Sequence, residues 1–148
     1  MYPIHSRGRW AAALLALLLS GCAASPPKPA PILYQKLGGE QGIHAIVEDF
    51  TYRLADDPEL VAFFANTNID YFVNSLQDYL CVISDGPCVY RGAPMDKAHQ
   101  HMGIHEADFN RLVDALQATL LDQPISASAR NQLLKRLAAQ HAAIMRYQ

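Results

Sequence analysis

Gly92-Ala93-Pro94-Met95-Asp96-Lys97-Ala98-His99-Gln100-His101-Met102-Gly103-Ile104 places one imidazole, that of His99, in a short half-apolar helical segment. A single neutral imidazole can hold an iron from one side, and apolar neighbours such as Met95, Ala98, Met102 and Ile104 can keep water from it. On its own the pattern also describes a packed or solvated histidine. The flanking sequence has to decide between the two.

The chain of 148 residues carries a formal net charge of -2, so electrostatics gives no reason to expect a nucleic-acid partner. Its start differs from the rest. Arg7 and Arg9 precede the apolar run Trp10 to Leu19, which is too short for a membrane helix and reads as a secretory signal over residues 1–21. Leu19-Ser20-Gly21-Cys22 resembles the lipobox of bacterial lipoproteins, in which the signal is cleaved before a cysteine that then carries acyl chains. That resemblance makes Cys22 the lipidated N-terminus and residues 22–32, rich in proline, an extended tether. It also implies a lipid anchor in the bacterial cell envelope, facing the periplasm. Ala23 in place of Asp after the cysteine points to the outer membrane.

Residues 33–148 form one domain with helical periodicity and no sustained strand alternation, so the fold class is all-α. Lys36-Leu37-Gly38-Gly39 permits a tight corner. Ile43, Ile46, Val47, Phe50 and Leu54 then recur at helical spacing until Asp57-Pro58 stops the helix. A short turn through Leu60, Val61, Phe63 and Phe64 follows. Asn66-Thr67-Asn68 caps a helix from about Ile69 to Ser84, which Asp85-Gly86-Pro87 ends. Beyond the His99 segment two longer helices are expected. One carries Phe109, Leu112, Val113, Leu116 and Leu120 on one face; the last opens at Ser126 or Ser128 and runs on through Leu133, Leu137, His141 and Met145.

The order of these elements and their junctions resembles the truncated haemoglobins, group I, over Leu33 to Gln148. The similarity is carried by Leu33-Tyr34-Gln35-Lys36-Leu37-Gly38-Gly39, Val47-Glu48-Asp49-Phe50, Ala55-Asp56-Asp57-Pro58-Glu59-Leu60 with Phe63-Phe64, Gly86-Pro87-Cys88-Val89-Tyr90, and Met95-Asp96-Lys97-Ala98-His99 followed by Gly103-Ile104 and Phe109. It implies a truncated globin fold, a two-over-two helical sandwich around haem b, with His99 as the ligand of the iron. Phe64 falls where the family packs an aromatic ring on the haem face. Phe50, Tyr90, Met95, Ile104 and Phe109 fall near cofactor contacts, although each also suits a plain core.

On the distal side the sequence departs from the common pattern. Many group I members have Tyr directly after the equivalent of Phe50, and Gln or His on the following helix; here those positions hold Thr51, Phe72, Ser75 and Leu76. Tyr52 is turned about 100° away by the helix. The expected distal pocket is therefore mostly apolar, with Thr51 or Ser75 as the near hydroxyl. A hydrogen bond to bound oxygen is worth about 1.5 to 3 kcal/mol, so its loss favours fast oxygen release and shifts the expectation toward gas or nitric oxide chemistry.

Of the remaining histidines, His44, His101 and His105 read as solvated. His141 lies on the inner stripe of the last helix, where some cyanobacterial relatives carry a histidine that bonds a haem vinyl group, yet a core or edge histidine is the simpler reading. Cys81 and Cys88 either form a disulfide, as an oxidising compartment would allow, or pack as small apolar side chains. The function expected is reversible binding of a diatomic gas, oxygen and/or nitric oxide, by a tethered haem protein. The alternatives are a nitric oxide dioxygenase or peroxidase-like enzyme supplied by an external reductase, and a helical sensor or interaction lipoprotein without haem.

Overall fold

A computed structural model describes residues 30–148 of the chain. The signal segment 1–21, Cys22 and the tether up to residue 29 lie outside the described residues. The elements are α1 (Leu33–Lys36), α2 (Gly39–Asp56), α3 (Pro58–Val61) with a 3-10 turn at Ala62–Phe64, α4 (Ile69–Ile83), α5 (Met95–Ala98), α6 (Glu106–Asp122), α7 (Ala127–Ala138) and α8 (His141–Ile144) with a 3-10 turn at Met145–Tyr147. There is no strand among the described residues.

The spine is α2, which packs against α4 on one side and α6 on another. Its buried face is Ile43, Ile46, Val47, Phe50 and Leu54. The helix can start where it does because Gly38, at φ 95°, and Gly39, at φ 66°, turn the chain through left-handed backbone that a side chain would oppose. The corner drives Leu33 and Leu37 into the core, where they meet Leu116, Leu120, Ala129 and Leu133 from α6 and α7. Each leucine so buried contributes about 1.5 to 3 kcal/mol by leaving water. The Thr119 hydroxyl is buried among them with no hydrogen-bond partner, a cost the surrounding packing offsets.

Polar residues set the element ends. Asp57 closes α2 and opens α3, accepting from the backbone amides of Glu59 at 2.9 Å and Leu60 at 3.1 Å. Desolvation acts to raise the Asp57 carboxyl, but those two amides and the Arg111 guanidinium outweigh it and hold the group below the usual carboxylate range. Asn68 caps α4 through the Tyr71 amide and Ser126 caps α7 through the Ala129 amide. After α4 the chain turns at Asp85, whose φ of 66° is left-handed; its carboxylate binds Arg136 of α7 at 2.8 Å, and that bond lowers its pKa.

Cys81 and Cys88 are joined in a disulfide, so the end of α4 is clamped to the loop that leads toward α5. Gly86 lies under that clamp. A Cβ there would stand 2.5 Å from Cys81 Sγ and 2.7 Å from the Tyr34 ring, so only glycine fits. One expectation is corrected. The final helix is not continuous to Met145, since it stops at Ala138 and resumes at His141. The Gln140 amide bonds back to Leu137, three residues earlier, which tightens the turn and lets α8 swing onto α5.

Removing the clamp in a Cys81→Ser/Cys88→Ser variant should cost about 2 to 3 kcal/mol by the chain-entropy cost of a loop this short. Denaturant midpoints of the two proteins measure it, with helical content unchanged; equal midpoints would show that the bond contributes nothing.

Candidate functional site

His99 terminates α5, its backbone amide bonding to the Met95 carbonyl at 3.2 Å. Its side chain returns to the same carbonyl, with Nδ1 at 2.9 Å from Met95 O. A carbonyl oxygen only accepts, so Nδ1 carries the hydrogen, which in the neutral ring puts the free lone pair on Nε2. This is the arrangement by which proteins orient an imidazole that ligates a metal through its other nitrogen.

Apolar side chains in and next to α5 and α8 are incompletely covered. No residue of α5 or α8 is buried, although Met95 and Ile144 lie in them; Met102, Ile104, Phe109 and Met145 are also only half-buried. α5 packs on α8 and on the turn Met145–Tyr147, whereas α4 packs on α2. Along α4 and α6, Phe72, Val73, Leu76, Leu112 and Ala115 rest against the core with part of each side chain exposed, as does Phe64. Phe72 meets Phe64 edge to face with ring centroids 4.9 Å apart. Phe50, by contrast, is 6% exposed and belongs to the core itself.

Of the hydroxyls expected beside a gas, that of Thr51 is engaged and that of Ser75 borders a surface groove. The Thr51 hydroxyl donates to the Val47 carbonyl of its own helix at 2.7 Å. Ser75 lines a surface groove with Tyr71, Asn74, Asp78, Arg91 and Gly92. Tyr52 points away, 66% exposed. Tyr90 packs edge to face on Tyr79, its hydroxyl donates to the Ala93 carbonyl at 2.9 Å, and burial followed by the nearby Tyr71 raises its pKa. Desolvation likewise raises Tyr79, with Tyr90 adding to it.

His141 is an edge histidine. Its Nε2 lies 3.0 Å from the Glu106 carboxylate, and its ring stands against Phe109 with centroids 4.6 Å apart. His44 is exposed on α2 beside Glu48, and His105 is exposed at the start of α6, where its amide donates to Asp108. His101 is exposed too, with left-handed backbone at φ 59°. The contacts that sequence reasoning missed are those of Glu106, Tyr147 and Gln148. Each depends on pairing across tens of residues, for which no local pattern exists.

An all-α sandwich with one oriented imidazole beside half-covered apolar walls defines a globin of the short type. The chain belongs to the bacterial-like globin family, which matches residues 32–146. It is 32% identical to a group 1 truncated hemoglobin of Tetrahymena pyriformis over 108 residues, covering 73% of this chain and 88% of that protein. It is 30% identical to the group 1 truncated hemoglobin of Nostoc commune over 113 residues, 76% of this chain and 96% of that one. Among solved structures, the Fe(III) form of the Tetrahymena pyriformis truncated hemoglobin superposes with a TM-score of 0.73 at 28% identity, covering 77% of this chain and 97% of that one. The 2/2 hemoglobin of Synechococcus sp. PCC 7002 shares the fold, with a TM-score of 0.74 at 22% identity over 78% of this chain and 99% of that one.

Haem b is the cofactor of this family. The residues present fit it on two counts: an imidazole whose Nε2 is free, and apolar side chains of α4, α5, α6 and α8 that a flat macrocycle could take out of water.

Proposed function

We propose that the chain holds haem b through Nε2 of His99 and reversibly binds a diatomic gas, oxygen and/or nitric oxide, on the side opposite that histidine. The observation that carries the proposal is the bond from His99 Nδ1 to the Met95 carbonyl, which fixes the tautomer and leaves one ring nitrogen for a metal. Bound haem would supply an iron able to take a diatomic gas. Met95, Ile104 and Phe109 would shield it from water, and Phe64 would supply an aromatic ring. Phe72 and Leu76 would give the gas an apolar setting. Tyr90 stiffens the approach to α5 through Ala93.

A gas seated beside Thr51 meets a hydroxyl whose hydrogen is already given to Val47. Phe72 and Leu76 add no donor. Oxygen therefore gains little of the about 1.5 to 3 kcal/mol that a charge-assisted hydrogen bond supplies, and leaves quickly. Nitric oxide depends less on such a bond. Continuous nitrate formation from nitric oxide, once an electron donor is supplied, is the result that would replace reversible binding with the dioxygenase reading. A chain that stays colourless with haem would leave only the haem-free sensor reading.

We further propose that the domain works on the exported side of a bacterial envelope, tethered through lipidated Cys22. The lipobox-like Leu19-Ser20-Gly21-Cys22 supports this, and so does the Cys81–Cys88 disulfide, a bond that persists in oxidising compartments. Any turnover there draws on an external reductase.

The purified chain should take up one haem with a Soret band, and His99→Ala should lose the iron–imidazole bond; an unchanged ferrous spectrum in that variant would disprove the ligand. Thr51→Tyr offers a hydroxyl that can reach the gas, and oxygen dissociation in stopped flow should slow by roughly tenfold or more. An unchanged rate would mean that a donor is already in place. In a bacterial host, Cys22→Ser should move the protein out of the membrane fraction, and retention there would refute the anchor.

A further inference from the structure

We propose that Gln148 is a positioning residue for His99, a role that rests on the haem reading above. Residues 99–104 follow α5 without regular structure and include two left-handed positions, His101 at φ 59° and Gly103 at φ 70°. For a residue with a side chain that backbone is uncommon and persists only where the surroundings hold it. The hold comes from the last residues of the sequence. The Gln148 side-chain amide donates to the His99 carbonyl at 2.8 Å and also to the Ile144 carbonyl, while its oxygen accepts from the Ile104 amide at 3.1 Å. The Tyr147 carbonyl accepts from the His101 amide at 2.9 Å.

One side chain thus grips the stretch at its first and last residues and ties both to the end of α8. Nearby contacts follow the same path: the Lys97 ammonium stands 4.9 Å from the Tyr147 ring, and Arg146 lies 3.7 Å from Asp96. These last two are solvent-facing and add little. The amide bonds matter because they fix the backbone on which the imidazole is mounted. The Met95 bond sets the ring relative to α5, and Gln148 sets the carbonyl end of His99 relative to α8. Loss of Gln148 leaves the ring on Met95 but releases the carbonyl end of His99.

Two variants separate the donor and acceptor halves. Gln148→Ala removes both. Gln148→Glu keeps an acceptor for Ile104 but sets a carboxylate against the carbonyls of His99 and Ile144. In the chain without haem, Gln148→Ala should speed hydrogen exchange of the Ile104 amide by roughly tenfold, the loss of one hydrogen bond, with circular dichroism unchanged. Gln148→Glu should leave that exchange near the wild-type rate. In the ferrous haem-loaded chain, both variants should shift or broaden the iron–imidazole stretching band in resonance Raman spectra, while haem uptake stays stoichiometric. Normal uptake with an unchanged band, or unchanged Ile104 exchange in Gln148→Ala, overturns the positioning role alone. A wild-type chain with no Soret band overturns the haem reading, and the positioning role falls with it.

Discussion

A helix of four residues cannot hold itself together. Fixing its first turn costs several dihedral angles for one hydrogen bond, and α5 has no further turns to recover that cost. Everything required of His99 therefore depends on contacts from outside the helix. Upstream, the disulfide and the Tyr90 to Ala93 bond restrict the loop that feeds α5. Downstream, Tyr147 and Gln148 bind the stretch that leaves it. On its flank lies α8, which reaches α5 only because the final helix breaks at Ala139 and Gln140.

The same constraint divides the molecule into two parts. Around α2 the aliphatic side chains are buried against those of α4 and α6. Around α5 and α8 no residue is buried, so apolar surface there still faces water. A ligand present at one hundred times its dissociation constant stabilises the folded state by about 2.7 kcal/mol, comparable with the disulfide. On the proposed reading, haem completes the looser half. The disulfide holds the connection between the halves before it arrives.

How much of this could be read in advance depends on how local each determinant is. The face Ile43, Ile46, Val47, Phe50 and Leu54, the Gly38-Gly39 corner and the Asp57-Pro58 stop are local, and each sits where its spacing places it. The break after Ala138 has no glycine or proline to announce it, and the α8–α5 packing that goes with it is long-range. Gln148 is silent for the same reason, since its partners in the His99 stretch lie 44 and 49 residues away. Thr51 is a different case. Its residue type was legible, and so was the fact that a threonine inside a helix can spend its hydroxyl on the carbonyl four residues back, as it does here on Val47.

The acceptor that His99 uses also bears on its chemistry. An imidazole that hydrogen-bonds a carboxylate gains basicity and pushes electron density toward its metal, whereas a backbone carbonyl polarises the ring less. The carboxylates of α5 and of the first turn of α6 are directed elsewhere: Asp96 toward Arg146, Asp108 to the His105 amide, and Glu106 to His141. Only the neutral carbonyl of Met95 bonds Nδ1. Strong electron donation favours cleavage of an oxygen–oxygen bond, as thiolate ligands do in oxygen-activating haem enzymes. A carbonyl-bonded imidazole withholds that push, and on the proposed reading a gas would meet Phe72 and Leu76 in place of a proton donor. Both sides of the proposed iron therefore lean toward taking up and releasing a gas, and away from breaking it.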